Sequence, residues 1–189
     1  MGLRRAIARL YWRLSRWKHV STVRPTSGAG VLVGAPHTSN WDFILMLAIA
    51  WDLELPVRYL GKAALFRPPF GFVMRLLGGI PVDRKNPVGL VADLVARAEG
   101  GERFYLVVTP EGTRSAGEYW KSGFLRIAVG AGLPVTLGYV DRATMTTGIG
   151  LTFEPTGDLA RDMDVVRAFY ADKSGLRPAR RTEPRLREE

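Results

Sequence analysis

An alternation of β-rich and helical segments, beginning at Val31, most constrains the fold of this chain. Short runs rich in β-branched and aromatic residues alternate with longer runs of helical periodicity. The predicted strands are VLVGA, PVRYL, IPV, RFYLVVT, PVTLGYV and GIGLTFEP, and the predicted helices lie in FILMLAIAWDL, NPVGLVADLVARAEG and YWKSGFLRIAVGAG. This pattern predicts one α/β domain with a mixed, mostly parallel sheet flanked by helices. The functional loops of such a sheet gather at the carboxyl ends of its strands.

The amino-terminal residues 1–24 form a basic arm. Residues 1–41 contain seven Lys or Arg and no acidic residue. Within the arm, apolar side chains recur at helical spacing while arginines project to the other side, as in an amphipathic helix. The apolar positions are Leu3, Ile7, Leu10, Leu14 and Trp17, and the opposing cations are Arg5, Arg9 and Arg16.

The amphipathic arm has two main interpretations, which the sequence leaves open. The apolar stripe can lie in a membrane interface beside anionic lipids, or it can pack on the protein's own core. An organellar transit peptide is a third interpretation, ranked lower because the core pattern begins soon afterwards. We assign residues 1–24 to a membrane-interface helix, 25–173 to the main domain and 174–189 to a flexible charged tail.

The overall composition narrows the class of partner. Lys and Arg number 27 against 18 Asp and Glu, giving a net charge of +9, which favours anionic partners such as a phospholipid surface. Nucleic acid is not a predicted partner, because no recognised binding motif accompanies the charge. The chain has no cysteine, and its longest unbroken apolar run is the nine residues from Phe43 to Trp51. A membrane-spanning helix needs roughly 18 to 20 such residues, so a peripheral association is expected.

The stretch APHTSNWDF combines a loop histidine with an aspartate five residues later. Within a continuous helix, positions five apart are separated by about 140°, so His37 and Asp42 can meet only if His37 lies in the preceding loop. Asp42 then stands in the first helical turn, where it can fix the imidazole tautomer and leave the other ring nitrogen free to take a proton. The alternative is that Asp42 only caps its helix while His37 packs locally.

A second polar turn, TPEGTRS, follows the predicted strand RFYLVV. Glu111 can bind a hydroxyl there, and Arg114 can bind a phosphate. Taken alone, the turn is equally consistent with ordinary solvated charges.

Together these segments resemble the glycerolipid acyltransferase family, which includes the 1-acylglycerol-3-phosphate acyltransferases. HTSNWD matches the family's H-x-x-x-x-D motif, and PEGTRS matches its third motif. GGIPVDR, ending in Arg84, is similar to the second motif, and GLPVTLGYV is similar to the fourth. The resemblance covers residues 31–140.

The resemblance implies acyl transfer from a thioester to a lipid hydroxyl, most simply from an acyl donor to 1-acylglycerol 3-phosphate. It assigns His37 as general base and Asp42 as its orienting partner. The acceptor-binding residues that it implies are Arg84, Glu111, Gly112, Thr113 and Arg114. Acyl coenzyme A or acyl carrier protein would serve as co-substrate, and neither a metal nor an organic cofactor is expected. The expected location is the cytoplasmic face of a membrane.

The chain also departs from the family pattern. GKAALF keeps Lys62 of a Lys-x-Glu-Leu stretch but has Ala64 in place of the acid, whereas Lys121 resembles the lysine that follows the third motif. Both lysines are further candidates for substrate contact, or are solvated charges. The apolar segment 65–79 is a candidate to line an acyl groove or touch the membrane, although core packing accounts for much of it.

Two other interpretations remain open at this stage. The acceptor can be a non-phosphate lipid, such as a glycolipid or aminolipid. Alternatively, the chain can be a non-catalytic lipid-binding module whose basic arm supplies the function.

Overall fold

The computed structural model describes residues 2–82 and 87–189, and within them seven strands form one sheet in the order β1-β7-β6-β2-β5-β3-β4. The strands are β1 (Lys18–His19), β2 (Ala29–Ala35), β3 (Val57–Lys62), β4 (Gly79–Val82), β5 (Phe104–Val108), β6 (Val135–Asp141) and β7 (Thr146–Phe153). Strands β6 and β7 are antiparallel, and every other neighbouring pair is parallel. The predicted mixed, mostly parallel sheet is confirmed.

Helices cover both faces of the sheet. They are α1 (Leu3–Leu14), α2 (Trp41–Asp52), α3 (Gly71–Leu76), α4 (Pro87–Glu99), α5 (Gly123–Gly130) and α6 (Leu159–Tyr170). Because side chains alternate along a strand, Val31 and Leu32 of β2 enter different cores. Val31 packs in the core that includes α5 and α6, whereas Leu32 packs in the core that includes Ile49 of α2 and Trp12 of α1.

The apolar stripe of α1 faces solvent, which rules out its packing on the protein's own core. Leu3 is 78% exposed and Leu14 is 79% exposed, and Ile7 and Leu10 are exposed as well. The opposite side of the helix contacts the domain through the buried Ala8 and an ion pair between Arg5 and Glu54 at 3.0 Å. Periodicity identified the residues that share a face, but the side that packs on the domain is the one with Arg5, Ala8 and Trp12.

The arm assigned to residues 1–24 is helical only in its first part. After α1 the chain enters the sheet as the short edge strand β1, which pairs with β7, and Val20 N–H continues the pairing by donating to Thr147 O at 2.9 Å. The second part of the arm therefore belongs to the domain.

Residues 174–189 pack on the domain and do not form the flexible tail that their charge predicted. Leu186 is 3% exposed and forms a β-bridge with Trp120, whose indole N–H donates to Thr182 O at 3.1 Å. Gly175 forms a second bridge with Asp141. A few buried anchors outweigh the polar composition of the segment, and a composition rule cannot detect them.

The segment 65–79 lies largely on the surface. Phe66 is buried, but the neighbouring large side chains are exposed, with Phe70 at 70% and Phe72 at 74%. Core packing therefore explains little of this segment. In the described ranges, no helix is both long and apolar enough to cross a membrane.

Candidate active site

The loops after β2 and β5 carry the two polar motifs, and these strands are neighbours at the centre of the sheet. The connection after β2 leads to β3 on one side, whereas the connection after β5 leads to β6 on the other. In open α/β sheets a crevice forms where neighbouring connections diverge, outside the carboxyl ends of the strands. The topology therefore brings the loops of residues 36–40 and 109–115 together.

His37 and Asp42 are in direct contact. The Nδ1 atom of His37 lies 3.2 Å from Oδ2 of Asp42, and Asp42 stands in the first turn of α2. The same Oδ2 accepts the backbone N–H groups of Thr38 and Ser39, each at 2.8 Å. Asp42 thus shapes the loop and binds the histidine at once, so the two roles considered for it are not exclusive.

The contact bears on the roles of the two imidazole nitrogens. A carboxylate oxygen accepts hydrogen bonds, so its position 3.2 Å from Nδ1 favours the tautomer with the proton on Nδ1. Nε2 of the neutral ring is then an acceptor. Among the described residues it has no hydrogen-bond partner, and the side chain remains 22% exposed. The arrangement offers one basic nitrogen to a bound molecule.

Glu111, in the neighbouring motif, holds the loop of residues 36–40, which we call the histidine loop. Its Oε1 accepts the backbone N–H of His37 at 2.8 Å, and the residue is 6% exposed. Its Oε2 is buried and has no hydrogen-bond partner in the described part of the chain. Burial raises the pKa of Glu111 to about 7, and the hydrogen bond from His37 opposes the rise only in part.

A second link joins the two motifs beside the histidine. The Arg114 guanidinium donates to the side-chain oxygen of Asn40, the residue at the amino end of α2. Arg114 is exposed, so it remains accessible to an anion beside the loop. Thr113 has a local contact, because its Oγ1 accepts the backbone N–H of Ser115 at 3.3 Å.

Lys121 lies directly over the turn at Gly112. Gly112 has φ +65, which favours glycine, and a Cβ built there would be 2.8 Å from both Cε and Nζ of Lys121. The backbone N–H of Lys121 also donates to Pro110 O at 2.9 Å. The structure therefore places Lys121 against the turn formed by Pro110 and Gly112.

Two candidate residues cannot be placed in the site. Arg84 lies outside the described residues. For Lys62 only the backbone is described, at the end of β3.

A cavity of about 200 Å³ lies between α2 and the sheet, with His37 and Asp42 among its lining residues. We call it the α2 cavity. Most of its lining is apolar, with Leu32, Met46 and Ile149 among the residues. None of its described lining residues comes from segment 65–79, so that segment does not line this cavity. The alternating strands and α2 form the cavity instead.

Sequence reasoning missed the part played by the carboxyl-terminal segment. Arg177 N–H donates to Oγ1 of Thr38 at 2.9 Å, immediately after His37 in the chain. Gly175, with φ +70, fits against Pro36 and Thr38 so closely that an added Cβ would be 3.0 Å from Pro36 Cβ. A glycine in a polar tail was the only available signal.

In the ranges that the structure covers, no group of three or more His, Asp or Glu side chains is arranged to hold a metal ion.

This chain is similar to known acyltransferases in family, sequence and structure. The family model described as Acyltransferase matches residues 18–137. The 1-acyl-sn-glycerol-3-phosphate acyltransferase epsilon of Mus musculus is 36% identical over 103 residues, which cover 51% of this chain and 28% of the mouse protein. This chain therefore matches little more than a quarter of that relative's length.

The fold also resembles a solved structure. The crystal structure of the 1-acyl-sn-glycerophosphate (LPA) acyltransferase PlsC from Thermotoga maritima matches with a TM-score of 0.61 at 17% identity. The match covers 89% of this chain and 77% of the Thermotoga protein.

Proposed function

Because this chain belongs to the acyltransferase family, we propose that it transfers a fatty acyl group from a thioester to a lysophospholipid hydroxyl, with His37 as general base. The simplest acceptor is 1-acylglycerol 3-phosphate, which would become phosphatidic acid. The observation that carries the proposal is the His37–Asp42 contact in the wall of an apolar cavity.

The proposed reaction uses the nitrogen that Asp42 leaves free. Nε2 of His37 takes the proton of the acceptor hydroxyl as its oxygen attacks the thioester carbonyl carbon. The new C–O bond forms, the C–S bond breaks, and the departing thiolate receives the proton from the imidazolium. General base catalysis of this kind typically contributes about 10² to 10⁴ in rate. The chain needs no nucleophile of its own for these steps.

Asp42 would stabilise the imidazolium that forms during the reaction. Its Oδ2 stays fixed by two backbone N–H groups, so the carboxylate holds its position as the charge on His37 changes. Glu111 would act indirectly, by holding the backbone of His37. Its contact with the His37 backbone supports a positioning role in place of the direct acceptor contact that the resemblance implied.

The basic residues around the loop suit a phosphorylated acceptor. Arg114 is anchored to Asn40 beside His37, and Lys121 lies over Gly112, which follows Glu111 in the chain. Guanidinium groups bind phosphate through paired hydrogen bonds, and ammonium groups bind it as compact charges. The second motif's Arg84 would add a third cation by family resemblance.

The α2 cavity supports an acyl substrate. Its apolar walls would bury the acyl chain, which removes hydrocarbon from water, and His37 in the cavity lining would face the reacting carbonyl. Acyl coenzyme A and acyl carrier protein are both anionic, and either is compatible with a chain of net charge +9. We propose one of these thioesters as the donor.

The exposed stripe of α1 supports a peripheral position at a membrane, for which we propose the cytoplasmic face. Leu3, Ile7, Leu10 and Leu14 are exposed together on a helix with four arginines. An apolar stripe of this kind binds the boundary between headgroups and acyl chains. A lysophospholipid acceptor would then be delivered from the same surface.

The acceptor is tested by offering the purified chain acyl coenzyme A and acyl carrier protein donors with phosphorylated and neutral acceptors. We expect transfer to lysophosphatidate. Arg114→Ala should raise KM for lysophosphatidate at least about tenfold and change KM for a neutral acceptor little, since only the former loses a charge-assisted contact. Arg161→Ala, an exposed arginine on α6, is the control. Equal KM changes for both acceptors would contradict a phosphate-binding role, and no transfer to any lysolipid would refute the proposed function.

A further inference from the structure

A second pocket lies at the far end of α2 from the candidate active site. It is lined by Arg9 and Arg13 of α1, by Trp17, Lys18 and His19 after that helix, and by Asp52. Its volume is about 480 Å³. Asp52 is ten residues after Asp42 on one helix, which separates the two sites by about 15 Å along its axis. We call this second site the α1 pocket.

The α1 pocket is strongly basic. Two arginines and a lysine line it, against the single carboxylate of Asp52. That carboxylate is already engaged, since its Oδ2 lies 2.8 Å from His19 Nδ1 and its Oδ1 lies 3.7 Å from Arg9 Nε. Arg13 and Lys18 are exposed and form no ion pair with any carboxylate that the structure describes. Arg13 and Lys18 therefore give the pocket positive charge that no described carboxylate pairs with.

A hydrogen-bond chain fixes one wall of the pocket. His19 Nδ1 donates to Asp52, and its Nε2 lies 2.7 Å from Ser21 Oγ, which in turn accepts the backbone N–H of Ile149 at 3.1 Å. The Trp12 ring stacks on His19 with 5.3 Å between centroids. Ser21 is held between His19 and the backbone of β7. These hydrogen bonds order the wall of the pocket beside which the cations lie.

The pocket lies beside the exposed stripe of α1. Leu10 is 56% exposed and Leu14 is 79% exposed, and Arg13 directly precedes Leu14. Neighbouring helical residues are rotated by about 100°, so a stripe sunk among acyl chains would hold Arg13 at its flank, level with the headgroups. Trp17 lines the same pocket, and tryptophan is enriched at this depth of a membrane.

We propose that the α1 pocket binds the phosphate of an anionic phospholipid in the membrane, as a site distinct from the acceptor position at His37. The positive charge of the pocket favours a phosphate group as its ligand. Because the pocket adjoins the exposed stripe of α1, a phosphate in a bilayer is favoured over one free in solution. The bound lipid would anchor α1 and orient the chain on the surface. This proposal rests on the membrane-associated function proposed above, but not on the identity of the acceptor.

The test is sedimentation of the full chain with phosphatidylcholine vesicles that contain or lack phosphatidylglycerol. The Arg13→Glu/Lys18→Glu variant should bind the anionic vesicles at least about tenfold more weakly than wild type. The control is Arg142→Glu/Arg161→Glu, which makes the same charge change at two exposed positions away from the pocket. It should weaken binding less than about threefold. Equal losses in the two variants would show diffuse electrostatic attraction and overturn the proposal.

A second arm distinguishes a lipid phosphate from a soluble one. Tryptophan fluorescence is titrated with inorganic phosphate and, separately, with anionic vesicles. We expect a change with vesicles that the Arg13→Glu/Lys18→Glu variant lacks, and no saturable change with phosphate. A saturable response to inorganic phosphate that this variant loses would show a soluble-phosphate site and overturn the assignment to lipid.

A third readout separates this inference from the proposed function. Acyl transfer to a detergent-dispersed acceptor should be the same for wild type and the Arg13→Glu/Lys18→Glu variant, because the α1 pocket does not contact the reacting groups. If wild type shows no transfer while the vesicle result holds, the proposed reaction fails and the lipid site stands. The milder Arg13→Gln/Lys18→Gln variant should show a smaller loss of vesicle binding, and an unchanged affinity in this folded variant would contradict the site.

Discussion

At the residue scale, His37 depends on neighbours that the sequence revealed unequally. The five-residue spacing from His37 to Asp42 predicted their contact, because only a loop histidine can fold back onto the first helical turn. The contact between His37 N–H and Glu111 joins residues 74 positions apart, and no local pattern encodes it. Pairing of β2 with β5 brings these two loops together, so the contact becomes visible only in the assembled sheet.

The pKa of Glu111, raised to about 7 by burial, gives a prediction about stability. A carboxyl with a raised folded pKa binds more protons when folded, so the unfolding free energy falls as pH rises from about 4.5 towards 7. Glu111→Gln keeps an oxygen for the His37 N–H but cannot ionise. The quantity to compare is the free energy of unfolding of Glu111→Gln minus that of wild type. Between pH 4 and pH values above 7, this difference should shift by roughly 3 kcal/mol in favour of the variant.

Urea denaturation at pH 4, 6 and 8 checks this expectation. Glu118→Gln removes an exposed carboxylate nearby and should leave the pH dependence close to that of wild type. If the unfolding free energies of wild type and Glu111→Gln changed with pH in the same way, Glu111 would ionise without a burial cost. That result would contradict its buried environment in the structure.

Gly175 gives a prediction about the histidine loop. Its φ of +70 and its approach to Pro36 and Thr38 mean that Gly175→Ala strains the backbone and pushes on the loop. We expect kcat to fall between about tenfold and 100-fold, since displacements near 1 Å can cost that much. Gly101→Ala is matched, because Gly101 has φ +76 but nothing within 4 Å of an added Cβ. Comparable losses of kcat in both variants would attribute the effect to general strain.

At the element scale, sequence reasoning succeeded where a segment is buried by a regular pattern. Strands β2 and β5 and helices α2 and α5 were predicted because their apolar residues follow the period of the element. Helix α6 was not predicted, although Asp158 stands at its N-cap and accepts the N–H groups of Ala160 and Arg161. Three side chains of α6 are buried, those of Met163, Val166 and Tyr170, but polar residues surround them in the sequence.

The two terminal segments show what periodicity and composition cannot decide. The pattern of α1 identified its apolar stripe but not whether the stripe or the arginine side meets the domain. The charged carboxyl-terminal segment docks through isolated anchors, of which Leu186 is the most apolar. In both cases tertiary contacts determine how the segment packs on the domain.

Leu186→Ala tests whether the carboxyl-terminal segment contributes to the fold. Removing a leucine that is 3% exposed should lower the unfolding free energy by about 2 to 4 kcal/mol, because apolar contacts are lost and a cavity remains. Leu14→Ala, at a site 79% exposed, should change it by less than about 0.5 kcal/mol. Chemical denaturation measures both, and equally small changes would mean that the segment is a dispensable tail.

At the scale of the whole molecule, the two ends of α2 carry different chemistry. Its amino end holds the His37–Asp42 contact beside an apolar cavity, and its carboxyl end holds Asp52 in a basic pocket beside the exposed stripe. One rigid helix therefore connects the proposed reaction centre to the proposed membrane contact. The position of both motifs directly after predicted strands made the first site predictable as a strand-end site, whereas the second depends on how α1 packs.

The most direct test of the central claim is the rate of acyl transfer to lysophosphatidate by wild type, His37→Ala and Asp42→Asn, each shown to be folded by thermal unfolding. Losing the general base should lower kcat by at least about 10² in His37→Ala. Asp42→Asn should show a smaller loss, because the base remains but its tautomer is no longer fixed. A folded His37→Ala variant that keeps the wild-type rate would contradict the assignment of His37 as the base.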